Sequence, residues 1–143
     1  RASNYPGNMI SVTQQLGSLR SAATSGDLER LCQRHDVDLL LLFGSALDSE
    51  TPGDIDLALA FRPRTPSNLL TFLSALAALV PGDHIDLLDL DRAGPVAKQR
   101  ALTRCEVLYA TTPAAFYERQ IFAINQYIET RPLRDAILQK LAS

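Results

Sequence analysis

Residues Leu39–Phe61 read LLLLFGSALDSETPGDIDLALAF. Four leucines and a phenylalanine lead into Gly44-Ser45, a polar loop runs from Ala46 to Gly53, and Asp54-Ile55-Asp56 opens a second apolar run, Leu57 to Phe61. The first run is too short for a helix and is bounded by turn residues, so it reads as a strand buried on both faces. The second run alternates: Asp54 and Asp56 fall on one face of a strand, and Ile55, Leu57, Leu59 and Phe61 on the other. Neighbouring carboxylates on a strand repel each other, which makes them a poor structural device. As oxygen ligands for a hard divalent cation they make chemical sense.

Gly44-Ser45 supplies a second half-site. A glycine at a strand end lets backbone approach a ligand closely. Ser45 is expected to cap a short helix whose amide groups face an anion. A phosphate seat beside a metal seat is equipment for chemistry on a nucleoside triphosphate. With these residues in place, the stretch resembles the nucleotidyltransferases of the DNA polymerase β superfamily, in which Gly-Ser precedes an Asp-x-Asp strand and a later strand gives a third carboxylate. Here His84-Ile85-Asp86-Leu87-Leu88-Asp89 offers Asp86. Its I-D-L context repeats that of Asp56, and strand parity puts His84, Asp86 and Leu88 on one face and Ile85, Leu87 and Asp89 on the other. The layout is most similar to the minimal nucleotidyltransferases (MNT), antitoxins paired with HEPN toxins, over roughly residues 27 to 110.

Working outward, the expected fold is α/β (α+β): a small mixed sheet of about four strands flanked by helices. Helices are predicted over residues 10–24, 27–35 and 67–80, with Ser25 or Asp27 capping the second and Ser67 or Thr65 the third. Strands are predicted over 37–43, 54–61, 84–90 and 106–110, with a helix from Gly94-Pro95 to about Arg104. Asp36 turns the chain into the first strand. Asp89 and Asp91 read as strand-end or capping residues, His35 as a helix-end residue and His84 as a surface histidine. The tail, 112–142, is predicted as two helices. Thr112 caps the first, with Pro113 at its first position, and Thr130 caps the second, with Pro132 in its first turn. Residues 1–9 are set aside as an N-terminal extension, a vector remnant or native sequence, leaving one domain over 10–143.

Composition bounds the function. The chain has 143 residues, 46% of them hydrophobic and 21% charged, and a net charge of −2. That suits one soluble globular domain and argues against a broad nucleic-acid footprint, which needs a basic face. No segment approaches the ~20 apolar residues of a membrane helix. Cys32 and Cys105 lack metal-ligand spacing and read as buried, reduced thiols of a cytoplasmic protein.

The resemblance implies Mg2+-dependent nucleotidyl transfer with ATP as donor. Asp54, Asp56 and Asp86 are then the catalytic, metal-binding residues for two Mg2+ ions, and Gly44 and Ser45 bind the triphosphate. The loop from Ala46 to Gly53 has Asp48 and Glu50 but no Lys or Arg, so Arg62, Arg64 or a partner residue is the expected source of positive charge. The chain is too short for a separate acceptor-binding domain, which points to a protein partner. By resemblance that partner is a HEPN ribonuclease toxin modified with AMP on a tyrosine. Two other readings stay open: a non-catalytic module that silences its partner by occlusion, and an enzyme that modifies a small hydroxylated molecule.

Overall fold

The computed structural model describes residues 10–142; the predicted N-terminal extension lies outside the described residues. Five α-helices and four strands occur among them. Helix α1 (Val12–Ser25) starts at a capping box: the Ser11 hydroxyl accepts from the Gln14 amide at 3.1 Å, and the Gln14 side chain accepts from the Ser11 amide at 2.9 Å. It stops at Gly26, whose φ of 91° is left-handed. Helix α2 (Asp27–Arg34) follows directly with Gly26 at its N-cap position; the Ser25 hydroxyl accepts from the Asp27 amide, the first of the helix, at 3.3 Å, whereas the Asp27 side chain pairs with Arg30 instead of capping. His35 ends α2, its ring edge-on to Phe72. Asp36, at φ 57°, then swings the chain into strand β1.

The sheet order is β3-β2-β1-β4. Strand β1 (Val37–Phe43) is antiparallel to both β2 (Ile55–Phe61) and β4 (Cys105–Ala110), and β2 is parallel to β3 (Ile85–Asp89). The parallel pair needs a crossover, made by α3 (Leu69–Leu79). Asn68 caps α3, its side chain accepting from the Thr71 amide, where Ser67 or Thr65 was expected.

Leu39 to Leu42 are fully buried because β1 is central and covered on both faces. Leu40 and Leu42 join Leu57, Leu59 and Phe61 under α1, α2 and α3. Leu39 and Leu41 join Ala58 and Ala60 under α4 (Pro95–Thr103) and α5 (Pro113–Ala142). Small alanines on that face of β2 let the helices sit close to the sheet. Buried Gln15 links the two ends of the first layer: its Nε2 donates to the Val80 carbonyl at 3.2 Å and its Oε1 accepts from the His84 amide at 2.9 Å.

The tail corrects one expectation. Residues 113–142 form one helix of 30 residues with Pro132 inside it, not two helices. Thr112 does cap it, accepting from the Ala115 amide at 3.2 Å. Thr130 caps nothing; its hydroxyl donates back to the Gln126 carbonyl at 2.8 Å, the mid-helix alternative to capping. Arg134 bridges the proline turn, donating to the Tyr127 carbonyl at 2.9 Å and stacking over the Tyr127 ring at 3.9 Å. None of the helices among the described residues is long and apolar enough to cross a membrane.

Candidate active site

Where β1 ends, Phe43 pairs with Asp56 across the sheet and Gly44 bends away at φ 77°. Glycine tolerates that conformation, and here a second constraint applies: a Cβ on Gly44 would overlap an Asp56 carboxylate oxygen and lie 3.2 Å from its carboxyl carbon. The Asp56 carboxylate therefore rests directly against bare backbone. Gly44–Leu47 form a short 3-10 turn. Ser45 is its exposed second residue, not the expected cap: Phe43 occupies the N-cap position, with no side-chain cap bond. The Ser45 carbonyl accepts from the Ser49 amide at 3.0 Å.

The parallel register sets Asp56 opposite Asp86, so both side chains emerge from the same face of adjacent strands. Asp54, just ahead of β2, joins them. One carboxylate oxygen from each of Asp54, Asp56 and Asp86 lies within 4.8 Å of the others. Asp54 and Asp86 are exposed, while Asp56 is half-buried between them. Burial is the main reason the Asp56 carboxyl is pushed above its ordinary range; the charges of Asp86 and Asp54 add to the rise and Arg100 opposes it. Three convergent carboxylates form a donor set suited to a hard divalent cation. Asp56 and Asp86 open onto a cleft of about 310 Å³ walled by Phe43, Leu88, Ala97 and Arg100.

Residues 27–114, which contain the glycine turn and all three acids, match the family described as polymerase beta, nucleotidyltransferase. The chain belongs to this nucleotidyltransferase family.

Solved structures with the same nucleotidyltransferase fold include a chain of a toxin–antitoxin complex with AMP-PNP, 24% identical, covering 81% of this chain and 96% of that one at a TM-score of 0.67. Another belongs to a tri-AMPylated Shewanella oneidensis HEPN toxin in complex with MNT antitoxin, 22% identical, covering 90% and 99% at 0.66. A third belongs to the toxin–antitoxin MntA-HepT, 23% identical, covering 87% and 99% at 0.66. No curated protein sequence matches the chain.

Charge around this nucleotidyltransferase cleft is arranged differently from the sequence expectation. Arg62 and Arg64 follow the far end of β2, roughly 20 Å from Asp56 at strand spacing, and do not line the cleft. Arg104 reaches the loop and pairs with Asp48, offsetting one of its acids. Arg100 lines the cleft itself. It was missed because nothing in the sequence ties α4 to the acids. The one available signal is the three-residue spacing of Ala97 and Arg100, which puts both on one helix face. His84 is not a surface residue: it is half-buried, its Nε2 2.8 Å from the Ile10 carbonyl. Asp89 is buried at the strand end and accepts from the Asp91 amide at 3.1 Å.

Proposed function

We propose that this nucleotidyltransferase moves AMP from ATP onto a hydroxyl of a partner protein, a tyrosine, and acts as antitoxin to a HEPN ribonuclease toxin in the cytoplasm. The observation that carries the reading is the gathering of Asp54, Asp56 and Asp86 within 4.8 Å beside Gly44 in a member of this family. The complexes whose chains share its fold, one with a tri-AMPylated toxin and one with AMP-PNP, support the choice of donor and partner.

Asp54, Asp56 and Asp86 would hold Mg2+, two ions in all. Bound Mg2+ supplies neutralisation of phosphate charge and a more acidic acceptor hydroxyl. Bare backbone at Gly44 leaves room for the Asp56 carboxylate, and the Gly44-Ser45 turn beside it would bind the triphosphate, with exposed Ser45 offering a hydroxyl donor. Asp86, on the exposed edge strand, would take the acceptor proton. The acceptor oxygen bonds to the α-phosphorus, the bond to the bridging oxygen of the β-phosphate breaks, and pyrophosphate leaves. Positioning and charge neutralisation carry most of the rate.

The test is transfer of label from α-labelled ATP in the presence of Mg2+ and the protein that co-purifies with the chain. Label should stay on the partner with the native chain and vanish with the double variant Asp54→Ala/Asp56→Ala. Absence of label with the native chain, in a complex that still silences the partner, would defeat the enzymatic reading. It would favour silencing by occlusion, a reading supported by Ile121, Phe122, Ile128 and Leu133, apolar side chains left exposed along α5.

A further inference from the structure

A triphosphate bound beside the Asp54, Asp56 and Asp86 cluster would concentrate negative charge, and the Gly44–Gly53 segment contributes no basic residue. Other cations on the surrounding elements are already engaged. Arg104 pairs with Asp48, Arg20 with Glu106 at 2.8 Å and Arg119 with Asp38 at 2.7 Å, while the Lys98 ammonium sits over the Phe122 ring. Arg100 differs. It forms no hydrogen bond or ion pair among the described residues, yet it lines the same cleft as Asp56 and Asp86. Its helix is fixed on the sheet by Ala101 and Leu102, which are 0% and 2% exposed. A guanidinium carried on a packed helix, open to solvent and facing a cleft, is a prepositioned bidentate donor for phosphate oxygens.

We infer that Arg100 is the cationic phosphate-binding residue of this cleft, contacting the nucleotide's phosphates beyond the α position and replacing the basic residue that the loop lacks. The inference rests on the nucleotidyl-transfer reading above and assigns the substrate-binding charge to α4. It separates the work in the cleft: the β2–β3 acids serve the cation, and α4 serves the polyphosphate.

Calorimetric titration of the purified chain in Mg2+ with ATP and, separately, AMP tests it, using Arg100→Ala and Arg100→Lys. Arg100→Ala should weaken ATP binding by about tenfold to a hundredfold, the scale of lost charge-assisted hydrogen bonds. AMP binding should change by less than about threefold, and Arg100→Lys should recover part of the ATP affinity. Arg100 is exposed, so all three proteins should melt within a few degrees of one another. Equal losses for ATP and AMP would overturn the proposal and make Arg100 a plain counter-ion of Asp56. Unchanged ATP affinity with weaker partner binding would reassign it to the partner. A native chain that binds neither nucleotide would sink the nucleotidyl-transfer reading along with it.

Discussion

Asp56 is the residue on which the site's energetics turn. Burial and two neighbouring acids raise its folded-state pKa, so the folded chain binds a proton there more tightly than the unfolded chain. Stability then falls as pH rises from the ordinary carboxylate range through the raised value, and the whole penalty is present at neutral pH. Asp56→Asn should therefore raise the melting temperature at pH 7 without divalent metal, and the gain should shrink as the pH is lowered toward 4. Added Mg2+ should stabilise the native chain more than the variant; thermal melts across pH, with and without Mg2+, check both. Gly44 is the complementary case. Gly44→Ala places a Cβ against the Asp56 carboxylate at a positive φ, and should cost about 1–3 kcal/mol and weaken divalent-cation binding, as measured by denaturant melts and metal titration. Cys32, by contrast, is a core residue: burial pushes its thiol up to about 12, which keeps it protonated and unreactive.

Among the elements, α5 shows local chemistry overruled by a larger helix. Pro132 removes one backbone donor and leaves the Ile128 carbonyl without its helical partner. Thr130 and Arg134 tie the turn together on either side, with Arg134 donating to the Tyr127 carbonyl and the Thr130 hydroxyl. Arg134→Ala should loosen the C-terminal turns: amide exchange over residues 129–141 should speed up severalfold, while the global melting point moves little because those turns are largely exposed. Equal exchange in both proteins would mean that propensity alone holds the helix past the proline.

For the molecule as a whole, the acids are aligned by packing between distant segments. Gln15 on α1 bonds to Val80 and His84; the His84 carbonyl accepts from the Ile55 amide at 2.8 Å, and Asp86 follows two residues later. Gln15→Ala strips the buried Val80 carbonyl and the half-buried His84 amide of their partners and should cost about 2–4 kcal/mol. It should also loosen the start of β3 and weaken metal binding at Asp86, although position 15 touches no acid. Calorimetry of Mg2+ or Mn2+ binding beside a denaturant melt distinguishes this coupled loss from a purely structural one.

Local side-chain patterning is enough to set the strands that bear the site. A fully apolar run, a glycine turn and an alternating acid-bearing strand have only one arrangement that buries the leucines and sets Asp54 and Asp56 on one common face, because side-chain direction along a strand has a period of two. Pairing is different: that β3 lies parallel to β2 with Asp86 opposite Asp56 depends on the α3 crossover and on Gln15, contacts between residues far apart in the chain. Tertiary structure alone brought Arg100 to the acids, since α4 reaches them only by packing on Leu39, Leu41 and Ala58. It also merged the tail into one helix, because Thr130 and Pro132 carry the same local signal whether they start a helix or sit inside one. The hydrogen-bond partners actually within reach decide between the two.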